Sequence, residues 1–239
     1  MQTKTFNIYN QENMAVQDAY AMLTANIHLS GSEEPIKSLA ITSCKPKVGK
    51  TSVAISLAIT MAKLGWKVLL VDGDMRRPLA GKRLSGKSLL GLSDYLLGDY
   101  ELKDVLCQTN VTNLTFLHSG ENEGNPIGLL CSTKFEELNK LTKEEYDYVI
   151  FDTPSLSTVV DASLIASKVD ATLLVVQIGE TSINSLRPAK QQLEKANANL
   201  LGVVLNKVKK NDYKKFFGAF DYFMDGNKFI NKNKIRKLD

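Results

Sequence analysis

The sequence predicts an α/β fold, a parallel sheet sandwiched by helices in three Rossmann-like layers. Three observations lead there. Short apolar runs alternate with longer segments of helical spacing through residues 35–207. Several runs, such as Ser38–Thr42 and Ala171–Ile178, are apolar almost throughout, as strands are when helices cover both faces of a parallel sheet. Acidic residues follow two of the runs and a lysine-containing turn follows a third, at the carboxyl edge where open α/β sheets bind ligands.

In chain order, residues 1–34 start polar and then spell an amphipathic helix over Ala15–Ile27, with Tyr20, Leu23 and Ile27 on one face. Gly31–Pro35 is a turn into the strand Ser38–Thr42, and Val53–Ala62 is a helix that Gly65 ends. A strand over Lys67–Val71 runs into Asp72-Gly73-Asp74-Met75-Arg76-Arg77-Pro78. After a loop-rich section the pattern over Leu89–Leu106 predicts a helix. Asn113–Leu117 is a strand and Gly120–Pro126 a turn-rich loop. There follow a helix over Ser132–Lys143, a strand over Tyr146–Phe151 ending on Asp152-Thr153-Pro154, and a helix over Val159–Ser167. A strand over Ala171–Ile178, a helix over Ile183–Ala196 and a strand over Leu200–Leu205 ending on Asn206 complete the pattern. The division is an N-terminal segment 1–34 with one helix, an α/β domain 35–207 and a C-terminal tail 208–239.

At 239 residues and 44% apolar, the chain can bury one large core. No stretch reaches the roughly 18 apolar residues of a membrane span, and the first residues lack the apolar core of a signal peptide. Cys44, Cys107 and Cys131 show neither metal-ligand spacing nor a disulfide framework, which fits a reducing cytosol. His28 and His118 are too few for a histidine-built metal site and read as structural or solvated. The net charge of +4 is uneven. Residues 209–239 carry nine Lys/Arg against four Asp, which leaves the body near neutral. Such a body argues against a nucleic-acid groove, while the basic tail either touches an anionic surface or is merely solvated.

The organising stretch is Ile41–Ser52. Gly49-Lys50-Thr51 ends the pattern G-x-x-x-x-G-K-[ST], with Cys44 at the first Gly. Such a loop turns backbone N–H groups toward phosphate, its Lys reaches the β/γ-phosphates and its hydroxyl ligates Mg²⁺. An ordinary strand-turn-helix is the competing reading. A single Asp after a strand is commonly a cap, but Asp72, Asp74 and Asp152 all fall on the loop's edge. Carboxylates there suit Mg²⁺, which takes one or two of them beside phosphate oxygens and water, and a further one can deprotonate the attacking oxygen.

With these residues in view, the chain resembles the bacterial tyrosine kinases, the cytoplasmic autokinases of capsular and exopolysaccharide synthesis. Cys44–Ser52, Asp72-x-Asp74-x-Arg76 and Asp152-x-Pro154 look like the Walker A, A′ and B motifs of that P-loop NTPase family. Segments around Asp18–Asn26, Gly91–Leu96, Asn125-Pro126 and Gly202–Asn206 extend the similarity over residues 15–207. The resemblance implies an ATP- and Mg²⁺-dependent transferase, with an oligomerisation element in segment 1–34 and nucleotide binding in domain 35–207. Residues Lys45, Pro46, Lys47, Val48, Gly49, Lys50, Thr51 and Ser52 would form the phosphate loop. Within it Lys50 would neutralise the β/γ-phosphates, Thr51 ligate the metal and Ser52 contact the α-phosphate. Asp74 and Asp152 would hold the metal's water shell, and Asn206 would read adenine. Asp72 would take the proton of an incoming tyrosine, the reverse assignment of Asp72 and Asp74 staying open. It further implies a homo-oligomer at the inner face of the plasma membrane, attached through a transmembrane co-polymerase that activates it, with no nucleic-acid partner.

Three departures stand out. The family's Glu-x-x-Arg-x-x-Arg ring motif reads Asp18-x-x-Ala21-x-x-Thr24, without either guanidinium. The tail's tyrosine cluster is thinned to Tyr213 and Tyr222 among phenylalanines, so these two are the phospho-acceptor candidates. Lys45 stands where related deviant-Walker ATPases carry a signature lysine, although Pro46-Lys47 replace the expected glycines. The alternative is therefore a dimeric, nucleotide-switched ATPase that acts as an adaptor without kinase activity. A weaker expectation is that oxidation of Cys44 would set a polar group beside the phosphates.

Overall fold

The computed structural model describes residues 5–6, 8, 14–31, 34–77, 90–120 and 125–208. Tyr213 and Tyr222 lie outside the described residues.

Among the described residues, apolar segments too short for helices pair into one eight-stranded sheet of order β1-β4-β5-β3-β6-β2-β7-β8. The strands are β1 (Thr5–Phe6), β2 (Ser38–Ser43), β3 (Val68–Asp72), β4 (Leu106–Thr109), β5 (Leu114–Leu117), β6 (Tyr148–Asp152), β7 (Ala171–Gln177) and β8 (Leu200–Asn206). All neighbours run parallel except β4 and β5. The helices are α1 (Met14–Ser30), α2 (Lys50–Lys63), α3 (Leu92–Leu97), α4 (Leu102–Val105), α5 (Pro126–Leu130), α6 (Thr133–Glu145), α7 (Asp161–Ala166) and α8 (Ile183–Lys195).

The sheet has two buried faces because successive strand residues point to opposite sides. In β2, Leu39 and Ile41 join Val53, Leu57 and Met61 of α2 on one face. Ala40 joins Ile165 of α7 and Leu193 of α8 on the other. The expected face of α1 is the one that packs: Ile27 is buried, and Tyr20 and Leu23 lean on the α2 cluster. His28 is structural, its Nδ1 3.0 Å from the Tyr148 hydroxyl and its ring stacked on Trp66.

Two strands escaped the sequence reading. The expected helix over Leu89–Leu106 is broken at Gly98, which takes the left-handed φ of 89° that closes α3. After the single turn α4 the chain enters β4, which lies antiparallel to β5. Its residues include the buried Cys107 and the exposed Gln108, an alternation too short to outweigh the helical spacing upstream. The strand β1 is two residues long, and its pairing with β4 at Thr5–Gln108 has no local signal. Pro126 opens α5 where the sequence reading ended a loop.

Candidate functional site

At the end of β2 the chain turns sharply into α2. Lys47 and Gly49 have positive φ, 66° and 97°, and Gly49 caps the helix without any side-chain hydrogen bond. The helix ladder starts with Val53 N–H donating to Gly49 C=O at 3.0 Å, so the amides of Lys50, Thr51 and Ser52 precede it. The helix dipole adds partial positive charge at this end. Cys44, in the place of the motif's first Gly, is not among the positive-φ residues, so its Cβ brings no backbone strain. It is buried, and burial pushes its thiol above the usual range. A thiol held protonated resists oxidation, so the redox expectation for Cys44 finds no support here.

The three acids do converge. Asp72 pairs with Asp152 across β3 and β6, and Ile41 of β2 flanks Asp152 on its other side. Since Ile150 faces α2, so does Asp152 two residues on. Its Oδ2 accepts the Thr51 hydroxyl at 2.6 Å, whereas its buried Oδ1 has no partner. Desolvation pushes the Asp152 carboxyl up to about 7, against the opposing pull of the Thr51 bond and the Lys50 charge. Burial likewise raises Asp74, although the Arg77 backbone amide and the Lys50 ammonium oppose it. Lys50 is lowered by its own burial, with Asp152 and Asp74 holding it up. Asp72 is fully buried and accepts from the Asp74 amide at 3.2 Å, while Asp74 is half-buried. Gly73 lets these acids lie close to β6: its N–H donates to Asp152 C=O at 2.8 Å, and a Cβ would press on that carbonyl.

The other predicted loop residues sit differently. Val48 is buried, whereas Lys45, Pro46, Lys47 and Ser52 are exposed. Asn206, far away in sequence, lies over the loop and donates from Nδ2 to Val48 C=O at 2.9 Å. Three residues near the site escaped the sequence reading. Asp161, fully buried at the start of α7, takes both arms of the Arg76 guanidinium at 2.8 and 3.2 Å. His118, buried one residue beyond the Val71–Leu117 pair, follows β5 at the same edge of the sheet, and its Nδ1 accepts from Gly120 N–H at 3.0 Å. Lys207 reaches back to Lys47 C=O at 2.8 Å. Only Asp161 had a usable signal, a lone acid opening a helix. The other two depend on which strands are neighbours.

The residues suit a magnesium-bound triphosphate. Among the described residues no three His, Cys, Asp or Glu side chains cluster closely enough to cage a metal. What is present is a hydroxyl and a carboxylate with an unused buried oxygen beside an uncapped helix start. Mg²⁺ takes such a sparse protein set, completing its shell with phosphate oxygens and water.

A family model described as an AAA domain matches residues 36–207. A tyrosine-protein kinase from Streptococcus pneumoniae, CpsD, is 39% identical over 193 residues, which is 80% of this chain and 84% of that one. The kinase domain of the Escherichia coli tyrosine kinase ETK superimposes with a TM-score of 0.77 at 30% identity, covering 85% of this chain and 84% of the other. A chimerical protein, CapA2B2, does so with 0.76 at 31%, covering 87% and 95%. Fold and site thus define a P-loop nucleotide-binding protein. Within that class the chain belongs to the bacterial tyrosine-protein kinase family. The septum site-determining protein MinD of Pyrococcus horikoshii is more distant, at 24% identity and a TM-score of 0.60 over 75% of this chain, and shares the fold alone. The adaptor-ATPase alternative is accordingly not favoured. Among the described residues no helix is long and apolar enough to cross a membrane.

Proposed function

We propose that this protein is an ATP-dependent tyrosine-protein kinase that phosphorylates tyrosines of its own tail and regulates capsular or exopolysaccharide synthesis. The observation that carries the reading is the Thr51–Asp152 contact, with Asp72 and Asp74 alongside it at the mouth of the phosphate loop. In this reading the loop from Lys45 to Ser52 and the start of α2 bind the phosphates. Lys50 neutralises the β/γ-phosphates and Ser52 touches the α-phosphate, while Asn206 reads adenine. Thr51, Asp74 and Asp152 would hold Mg²⁺ and its water shell, and bound there it would supply charge neutralisation for phosphoryl transfer.

Transfer forms a bond from the tyrosine oxygen to the γ-phosphorus as the bond to the departing ADP oxygen breaks. The hydroxyl proton goes to Asp72. With a loose transition state, the chain contributes mainly position and fixed charge. Tyr213 and Tyr222 are the acceptors. The working division is an N-terminal segment 1–34, a kinase domain 35–207 and an acceptor tail 208–239. The protein works as a homo-oligomer, held at the inner face of the plasma membrane by a transmembrane co-polymerase that activates it.

The test is an anti-phosphotyrosine blot after incubation with Mg-ATP, with Lys50→Met as the control. Signal lost in Lys50→Met and in Tyr213→Phe/Tyr222→Phe supports the proposal. Steady phosphate release without any phosphotyrosine refutes it. The roles of the two acids separate by kinetics: Asp72→Asn lowers kcat at unchanged nucleotide affinity, whereas Asp74→Asn raises the Mg²⁺ requirement.

A further inference from the structure

Two consecutive side chains at the end of β8 grip two consecutive carbonyls of the phosphate loop. Asn206 Nδ2 donates to Val48 C=O at 2.9 Å, and Lys207 Nζ donates to Lys47 C=O at 2.8 Å. The grip closes on the part of the loop that most resists staying put. Lys47 and Gly49 both hold left-handed φ, and Lys47 bears a side chain that disfavours it. Lys207 itself has φ 55°, and its amide donates to Asn206 Oδ1 at 2.8 Å, which fixes the two side chains relative to each other. The Asn206 amide also fills the space above Gly49 that a Cβ would need, with Lys207 Cε just beyond it.

A peptide unit is planar, and its C=O and N–H point in opposite directions when it is trans. The described residues contain no cis peptide bond. Holding Lys47 C=O from the β8 side therefore turns Val48 N–H the other way, and holding Val48 C=O does the same for Gly49 N–H. Those two amides, followed by the first amides of α2, form the concave run of donors that binds phosphate.

We propose that Lys207 is a positioning residue for nucleotide binding: with Asn206 it clamps the carbonyl side of the loop, so that Val48 and Gly49 N–H are aimed at the phosphates before nucleotide arrives. The proposal rests on the nucleotide-binding reading above, and it assigns Lys207 a role through its hydrogen bond to Lys47 and not through charge on the substrate. Lys207 has an exposed side chain and spends its ammonium on a neutral carbonyl, a use in which any donor of similar reach can replace it. A lysine acting as a counter-charge to phosphate is not replaceable in that way.

The experiment compares Lys207→Ala, Lys207→Gln and Lys207→Arg in the full chain. One readout is titration with a fluorescent ADP analogue and Mg²⁺, and the other is amide hydrogen exchange over residues 44–52 without nucleotide. Loss of a charge-assisted hydrogen bond at an exposed site predicts about tenfold weaker ADP binding for the alanine variant. Exchange at Val48 and Gly49 should become faster by a similar factor. The arginine variant should stay within about twofold of the parent and the glutamine variant should recover part of the loss, with melting temperatures lowered by no more than a few degrees in any of them. If glutamine is as damaging as alanine, and the loss shrinks with added salt, Lys207 acts by charge and the clamp is overturned. If alanine leaves both affinity and loop exchange unchanged, the clamp is likewise overturned. Failure of the parent protein to bind Mg-ADP would instead sink the nucleotide-binding reading, whereas the exchange measurement on the free protein still decides the clamp.

Discussion

Replacing Asp152 by Asn should make the nucleotide-free protein more stable while removing its capacity for Mg-nucleotide. Burial raises this carboxyl from 3.8 to about 7. At ~1.4 kcal/mol per unit, holding it ionised at pH 8 costs the fold on the order of 4 kcal/mol. The sign follows from linkage. The folded value lies above the unfolded one, so the contribution of Asp152 to stability is complete below about pH 4 and is lost as the pH rises through about 7. Asn keeps the shape and an oxygen for the Thr51 hydroxyl, but its Nδ2 stands where Oδ1 has no partner, an unpaired buried donor that costs about 1–3 kcal/mol. Allowing for that, the expected net gain at pH 8 is about 1–2 kcal/mol, or roughly 2–8 °C in Tm for a chain of this size. Thermal melts without Mg²⁺ or nucleotide should show the gain at pH 8 and its disappearance at pH 5, where the folded carboxyl is protonated and the ionisation penalty, under about 2 kcal/mol, no longer exceeds the cost of the unpaired Asn donor. Adding Mg-ADP should reverse the order, stabilising only the wild type. An Asp152→Asn protein that melts no higher than wild type at pH 8, or that gains equally at both pH values, would refute the electrostatic reasoning.

Three further outcomes are expected. Gly49→Ala forces a side chain into a φ of 97° and against the Asn206 amide, and should cost about 1–2 kcal/mol in melts and abolish tight nucleotide binding. Arg76→Ala leaves the fully buried Asp161 without its bidentate partner and should destabilise by about 2–3 kcal/mol in urea titrations. Because the Arg76 side chain is 40% exposed, the loss should fall short of that for a fully buried pair, and Arg76→Lys should recover only part of it. Restoring the family's arginines should separate the two positions of α1. Ala21→Arg is exposed and should leave Tm unchanged, while Thr24→Arg enters a site with 0% exposure and should unfold the helix from α2, seen as a Tm drop of many degrees.

That contrast shows how far the sequence can be read. Strands buried on both faces announce themselves as continuous apolar runs, and β2, β3, β6 and β7 are each legible in that way. Burial of Asp72 and Asp152 at the strand ends follows from the same runs. The helix α1 is legible from its apolar face, yet the burial of Thr24, a polar residue whose hydroxyl finds no partner, is not. The split of residues 89–106 into α3, α4 and β4 is hidden because a four-residue strand carries less periodic signal than the helical spacing before it.

From its residues alone, this protein is determined to be a covered parallel sheet with a phosphate loop and three acids along one rim. Local pattern suffices for that, since the period of apolar residues and the turn chemistry reside in consecutive positions. Only the tertiary structure decided which distant groups meet. It set Asp161 against Arg76, His28 against Tyr148, and Asn206 with Lys207 across the loop from Val48 and Lys47. Those meetings follow from strand order, which is chosen by the packing of the whole sheet, so no stretch of neighbouring residues encodes them.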